Sequence, residues 1–360
     1  MSTDTTEDTA GANPAPGTVA PADERVRRSG PVKAVLGLPG FGAAAGAIVV
    51  FVFFTIATPL FVTASGIANW LDPSSTIGLV AVAVAFLMIG GEFDLSAGVM
   101  IGSTGLVTGL LAVNLGVNMW LAMAGSLVFA VLVGMFNGFM VTRTKLPSFI
   151  ITLGTFFILQ GLNLGVIKLV TGTVRVNGLD SAPGYHSAYL LFASTISIGG
   201  ANVQVAILWW VVITAVLAVV LAHTRIGNWI TSVGGVPEAA RGLGVPVAKT
   251  KIGLFVGVSV MAWFVGVITA LRLTAVTSNQ GVGQELIFIV AAVVGGCLLT
   301  GGYGSIIGAS LGALIFGMAQ VGIPDVGWNS DWYYAFLGAM LLLAVLVNTA
   351  IRKRFQVGIA

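Results

Sequence analysis

Residues 203–222 read VQVAILWWVVITAVLAVVLA, twenty positions with no charge and a single amide, Gln204. As a helix this stretch rises about 30 Å, the thickness of a bilayer's hydrocarbon core, and a helix satisfies its own backbone N–H and C=O groups there. The same reading holds on either side of it. Apolar segments at approximately 41–62, 74–90, 95–113, 119–141, 148–168, 252–272, 285–299, 305–322 and 331–350 bring the expected spans to ten. Composition agrees: 57% of the 360 residues are hydrophobic and 8% charged, with a mean hydropathy of +1.01, against about 25% charged in a soluble domain. Forty-nine glycines suit close helix packing in lipid. The expected fold class is all-α, a polytopic membrane helix bundle. Gly90-Gly91 and Thr300-Gly301-Gly302 interrupt the second, third and eighth spans, which are therefore expected to be broken or re-entrant.

Residues 1–33 are rich in Thr, Ala, Pro and acidic residues without apolar periodicity, the composition of a disordered tail, and no cleavable leader is read there. The transmembrane domain is expected over 34–351, followed by a short tail at 352–360. Basic residues set the orientation. With ten crossings and a cytoplasmic amino terminus, Arg25, Arg27, Arg28, Lys33, Arg143, Lys145, Arg225, Arg241, Lys249, Lys251, Arg352, Lys353 and Arg354 fall inside; Lys168, Arg175 and Arg272 fall outside. Both termini are then cytoplasmic, loop 169–202 is external with short extended pieces, and loop 223–251 is internal.

Two motifs stand out. In Glu238-Ala239-Ala240-Arg241-Gly242-Leu243-Gly244, Pro237 can start a short helix, the alanines allow close docking and Gly244 can end it. Such an element can transmit motion from a separate protein; a solvated helix is its plainer use. In Gly90-Gly91-Glu92-Phe93-Asp94-Leu95-Ser96-Ala97-Gly98, two carboxylates enter an apolar region, where each costs about 2.5–3.5 kcal/mol at mid-bilayer. Asp94 is expected as the N-cap of the following helix, and a polar break lining a translocation path is the compatible second use.

These segments, in order, resemble the ribose/xylose/galactose permease family of bacterial ABC importers. Asn137-Gly138 through Arg143, Lys145 through Thr155, Glu238 through Arg241, and Glu285 through Gly295-Gly296 with Gly301-Gly302-Tyr303-Gly304-Ser305 carry the resemblance over about residues 75–345. Glu92-Phe93 departs from the more apolar family pattern. The resemblance implies an inner-membrane permease for a monosaccharide or polyol, present as a homodimer or pseudo-dimer. A periplasmic binding protein would feed it, and a separate ATPase would drive it by docking on Glu238, Ala239, Ala240, Arg241 and Gly244. Nearer alternatives are branched-chain amino acid, nucleoside or siderophore import; an ion-coupled secondary transporter using Glu92 and Asp94 is more distant.

The chain contains no G-x-x-x-x-G-K-[ST] loop, so ATP use is assigned to a partner and no cofactor to this chain. No metal cluster or catalytic residues are read: His186 and His223 stand alone in different loops, and Cys297 is a small packing residue. Translocation-path candidates are Glu92, Phe93, Asp94, Ser96, Thr152, Thr155, Asn163 and Glu285, with Gln160 and Gln284 beside them. Interhelical hydrogen bonding is the plainer use of the Thr and Asn side chains. Hairpins 80–110 and 289–319 share an apolar run, a Gly-Gly break and a small-residue helix, the outline of an internal repeat.

Overall fold

The computed structural model describes the backbone of residues 40–356 and side chains of 40–346. The expected disordered tail at 1–33 lies outside the described residues. Among the described residues thirteen helices dominate. The long or apolar ones are α1 (Phe41–Ala57), α2 (Ala64–Ile89), α3 (Ala97–Gly109), α4 (Met119–Thr144), α5 (Ser148–Thr171), α7 (Val205–His223), α10 (Val247–Leu273), α11 (Glu285–Val294), α12 (Ile306–Asp325) and α13 (Trp332–Gln356). Three short helices fill the loops: α6 (Tyr185–Phe192), α8 (Arg225–Gly235) and α9 (Pro237–Gly242). The chain is thus an all-α membrane bundle. Among the described residues, seven helices are long and apolar enough to cross a membrane, namely α2, α3 with its terminal π turn Leu110–Asn114, α4, α5, α7, α10 and α12.

The ten apolar segments all become helices, several of them differing in extent from the expectation. The second starts at Ala64, ten residues earlier than expected, and runs unbroken through Pro73 to Ile89. The eighth ends at Val294 rather than 299. Its ten residues rise about 15 Å, half a hydrocarbon core, so α11 does not cross by itself; residues 295–302 carry the chain on to the end of α2. The last continues to Gln356, past the expected boundary at 351.

Small residues decide which helices lie at the centre. α2 and α10 present long buried faces; α10 packs along α4 and α3, and α12 packs along α2. Gly134 and Gly138 of α4 would place a Cβ 2.7 and 2.6 Å from the Cα atoms of Val256 and Ile252 on α10, so only glycine allows this approach. α7 is peripheral, with Leu208, Val211, Val212, Val216 and Val219 exposed on its outer face. That is where a lipid-facing helix keeps its branched side chains.

Loop 169–202 contains the expected extended pieces. β2 (Thr195–Ile198) and β3 (Ala201–Gln204) form an antiparallel hairpin turned by Gly199 and Gly200, both at positive φ, as a two-residue primed turn requires. β1 (Arg175–Asn177) pairs instead with β4 (Ala275–Thr277), just past the end of α10. The loop also holds α6, a helix that its polar, Gly-rich sequence does not announce.

Candidate functional site: two glycine breaks and the loop that meets them

The first break comes at the end of α2. The Gly91 N–H donates to Met88 O at 2.9 Å and the Glu92 N–H to Leu87 O at 3.1 Å, with Gly91 at φ +83°. This is a Schellman closure, and glycine is the residue that takes the left-handed position at least cost. Residues 92–96 then run without helix along α5, and two of their backbone donors are satisfied by that helix's side chains. Ser148 Oγ accepts from the Phe93 N–H and Thr152 Oγ1 from the Leu95 N–H, each at 3.0 Å. Those acceptors lie four residues apart on α5, so the segment climbs the helix by about 6 Å between them. Non-helical backbone survives at this depth only when protein replaces water in this way.

The climb ends in a buried polar chain. Thr155 Oγ1 donates to Asn137 Oδ1 at 2.6 Å, Asn137 Nδ2 to Ser96 Oγ at 3.0 Å, and Ser96 Oγ to Asp94 Oδ1 at 2.5 Å. Asp94 Oδ1 also accepts from the Ser96 N–H at 2.8 Å. Asp94, Ser96 and Asn137 are fully buried, and Asp94 Oδ2 has no partner. Helix α3 begins at Ala97 with Ser96 as its N-cap, so Asp94 sits two residues too early to cap it. The carboxylate holds the turn before the helix instead. Glu92 points elsewhere, to an ion pair with Lys251 on α10.

The second break repeats the first closure. Gly296 N–H donates to Val293 O at 2.9 Å and Cys297 N–H to Ala292 O at 3.0 Å, with Gly296 at φ +94°. The next stretch is held by backbone contact rather than side chains: the Gly302 N–H donates to Ile89 O at 2.8 Å, across to the end of α2. Into this meeting point comes α8. A Cβ on Gly234 would lie 1.8 Å from Ile89 O and 2.7 Å from Gly302 N, so the backbones of both breaks and the loop 223–251 touch at one residue.

Beyond α8, the short helix α9 starts at Pro237 and closes by the same pattern. Gly244 N–H donates to Arg241 O and Val245 N–H to Ala240 O, both at 3.0 Å, with Gly244 at φ +83°. Ala240 is buried against Val233 and Val247; Glu238, Ala239, Arg241 and Gly244 are exposed.

A third feature is the unwound stretch before α11. Gly105, Gly102 and Gly98 of α3 lie against Val276, Gln280, and Gly281 with Glu285, respectively. Over those seven helical steps of α3 the segment descends about 10 Å. The glycine face of α3 receives bare backbone: a Cβ on Gly102 would lie 2.5 Å from Gln280 O. Asn279, Gly283 and Gln284 remain exposed on the far side, and Glu285 Oε2 accepts from the Gly283 N–H at 3.0 Å.

Of the residues singled out in the sequence, Asp94, Ser96, Thr152 and Thr155 therefore meet, with the Phe93 backbone beside them. Glu285 lies against Gly98 at the start of the same helix. Asn163 is buried eight residues beyond Thr155 on α5, its Nδ2 unpartnered, apart from the others. Asn137 holds a central place that sequence reasoning does not assign it, although a lone amide inside a span is the available signal. The same is true of Lys251 and of Gly234-Gly235, where a further Gly-Gly pair in the chain is the clue.

A family model described as "Branched-chain amino acid transport system / permease component" matches residues 66–345. Similar proteins include a probable ABC transporter permease of Sinorhizobium fredii, 32% identical over 87% of this chain and 90% of its own length. The xylose transport system permease protein of Escherichia coli is 30% identical over 89% of this chain and 94% of its own. The galactose/methyl galactoside import permease protein of the same organism is 29% identical, with 81% and 88% covered. No solved structure matches. With the match spanning the bundle from α2 to α13, the chain belongs to the ABC-importer permease family that includes the xylose and galactose permeases.

Proposed function

We propose that this protein is the inner-membrane subunit that passes a monosaccharide or related polyol across the bilayer, with both termini cytoplasmic. A separate ATPase docks on α9, a periplasmic binding protein delivers the solute, and two copies of the permease, or this chain and a like one, enclose the path. The sugar reading is supported by relatives named for xylose and galactose. It also fits the charge balance: Glu92 is paired with Lys251 and Asp72 with Arg272, which leaves no unpaired cation to receive an anionic solute in either pair.

The observation that carries the coupling role is Gly234. Motion imposed on the exposed face of α9 passes through α8 to a residue in backbone contact with both breaks. Glu238, Ala239, Arg241 and Gly244 then form the docking face and Ala240 its seat. For the path we favour the unwound segment 278–285, with Glu285, over the Asp94 chain, because its polar side is exposed while the Asp94 chain is spent on internal hydrogen bonds.

The test is uptake of labelled xylose, galactose, ribose and leucine in cells lacking other routes and supplied with the neighbouring transport genes. Pentose or hexose uptake that Glu238→Arg and Gly244→Val abolish, at unchanged membrane abundance, is the expected result. Leucine uptake alone would overturn the sugar reading. Normal uptake by both variants would overturn the docking role.

A further inference from the structure

A cavity of about 720 Å3 lies between α2, α7, α8 and α10, at the end of the bundle where α8 crosses. Its volume is within the range of about 300–1,000 Å3 typical of small-molecule sites. Phe86, Ile213, Leu217, Trp229 and Met261 give it apolar walls, while Lys249 and Thr250 stand at its α10 N-terminal end. The polarity is therefore one-ended, apolar inside the bundle and cationic at the rim.

Three further observations narrow the occupant. Lys249 is exposed and has no acidic partner among the described residues, whereas neighbouring Lys251 is committed to Glu92. Loop 223–251 carries Arg225, Arg241, Lys249 and Lys251 against one acid, Glu238, so the rim lies in a positive field. α8 is amphipathic: Ile226, Trp229 and Ile230 face the cavity at i, i+3 and i+4, and Asn228, Thr231 and Ser232 lie on other faces. A Trp on such a helix sits at the level of lipid headgroups. The outer wall is α7, whose exposed aliphatic face looks onto lipid.

We infer that this cavity is a binding site for an anionic glycerophospholipid of the cytoplasmic leaflet, with an acyl chain between α7 and α10 and the headgroup phosphate at Lys249. The fit comes from charge complementarity at the rim and hydrocarbon along the walls; a soluble peptide would find few hydrogen-bonding partners there beyond the rim. The lipid would brace α8, the helix whose Gly234 touches both breaks. The binding assay needs no knowledge of the transported solute, so its failure and that of the transport reading are separable.

The test titrates the intact purified permease with phosphatidylglycerol or phosphatidylcholine of identical chains and counts bound lipid by native mass spectrometry. Phosphatidylglycerol is expected to bind preferentially, and Lys249→Gln to weaken it about fivefold and phosphatidylcholine, whose choline already offsets the phosphate charge, by less. Gly257 lines the cavity and a Cβ there meets nothing within 4 Å, so Gly257→Leu starts its side chain in open space and takes up part of the cavity; it should reduce both lipids at least tenfold. Gly161→Leu on α5, equally open but outside the cavity, is the folded control and should change nothing. Equal binding of the two lipids, or full retention by Gly257→Leu, overturns the site. Release of a second copy or of the ATPase by Gly257→Leu, with lipid binding intact, would assign the cavity to a protein and also overturns it.

Discussion

The two glycine breaks close their helices by the same pair of hydrogen bonds, yet the segments beyond them are held by opposite means. After Gly91, five residues are fastened by side chains from three helices: Ser148, Thr152 and Thr155 on α5, Asn137 on α4 and Lys251 on α10. After Gly296, the chain is fastened by the absence of side chains. Gly301 lies against Gly91 and Gly234, Gly302 against Gly235, and Gly308 against Gly295 and Gly40, at distances no Cβ tolerates or nearly so. The first break is specified by polar chemistry and the second by volume. One tolerates changes of size that keep a hydrogen bond; the other tolerates neither size nor shape.

The sharpest way to break this contrast is at Gly234, where the volume-controlled contact includes both breaks. Gly234→Ala places its methyl 1.8 Å from Ile89 O, with backbone on both sides and nothing free to rotate away. The cost is expected at about 3 kcal/mol or more, the upper end of overpacking, with loss of most folded protein in detergent chromatography and of uptake. Gly235→Ala, one residue on, has open space around its Cβ and should remain near wild type. Equal behaviour of the two would mean that α8 does not seat where the geometry puts it.

The polar break is tested at its middle link. Asn137→Ala leaves Ser96 Oγ without a donor and Thr155 Oγ1 without its side-chain acceptor, in a fully buried site. The expected loss is about 1–3 kcal/mol, read as a fall in melting temperature of the purified protein. Asp94→Asn should be nearly silent, because Oδ1 keeps both bonds from Ser96 and the atom replaced, Oδ2, has no partner. A tenfold loss of uptake by Asp94→Asn at wild-type abundance would instead give the charge a role in the path, and the break could no longer be regarded as scaffold.

The same contrast explains what the sequence discloses. Membrane class and the ten apolar helices are legible in hydropathy, because lipid leaves a helix few alternatives. Pro237 and Gly244 likewise mark the ends of α9 through local backbone preferences. Hydropathy overstates the length of α11 because Gly295-Gly296 sits within an apolar run whose hydropathy does not fall at the break. Asp94 reads as the cap of a helix whose N-cap position is Ser96, a residue that makes no side-chain capping bond, since a capping residue and a residue of the preceding turn present the same chemistry in one dimension. The meeting of Gly91, Gly234 and Gly302 is a long-range event with no periodicity to announce it. Glycine face Gly98/Gly102 is legible as a close-packing surface, but not that its partner is unwound backbone.

Among the substitutions expected to cost stability, the smallest effect belongs to a side-chain hydrogen bond at the far end of the second break. Ser305 Oγ accepts from the Gly308 N–H at 3.0 Å and caps α12. Ser305→Ala removes that acceptor and should cost about 1 kcal/mol, whereas Ser305→Gly should cost only a few tenths, glycine being the better tolerated residue at a helix N-cap. Both variants should keep the backbone bond from Gly302 to Ile89 and therefore keep uptake. Thermal melting of the three proteins in one detergent measures the difference. Were Ser305→Ala to cost as much as Asn137→Ala, the second break would also depend on a side chain, and the division between polar specification and steric specification would fail at its weaker end.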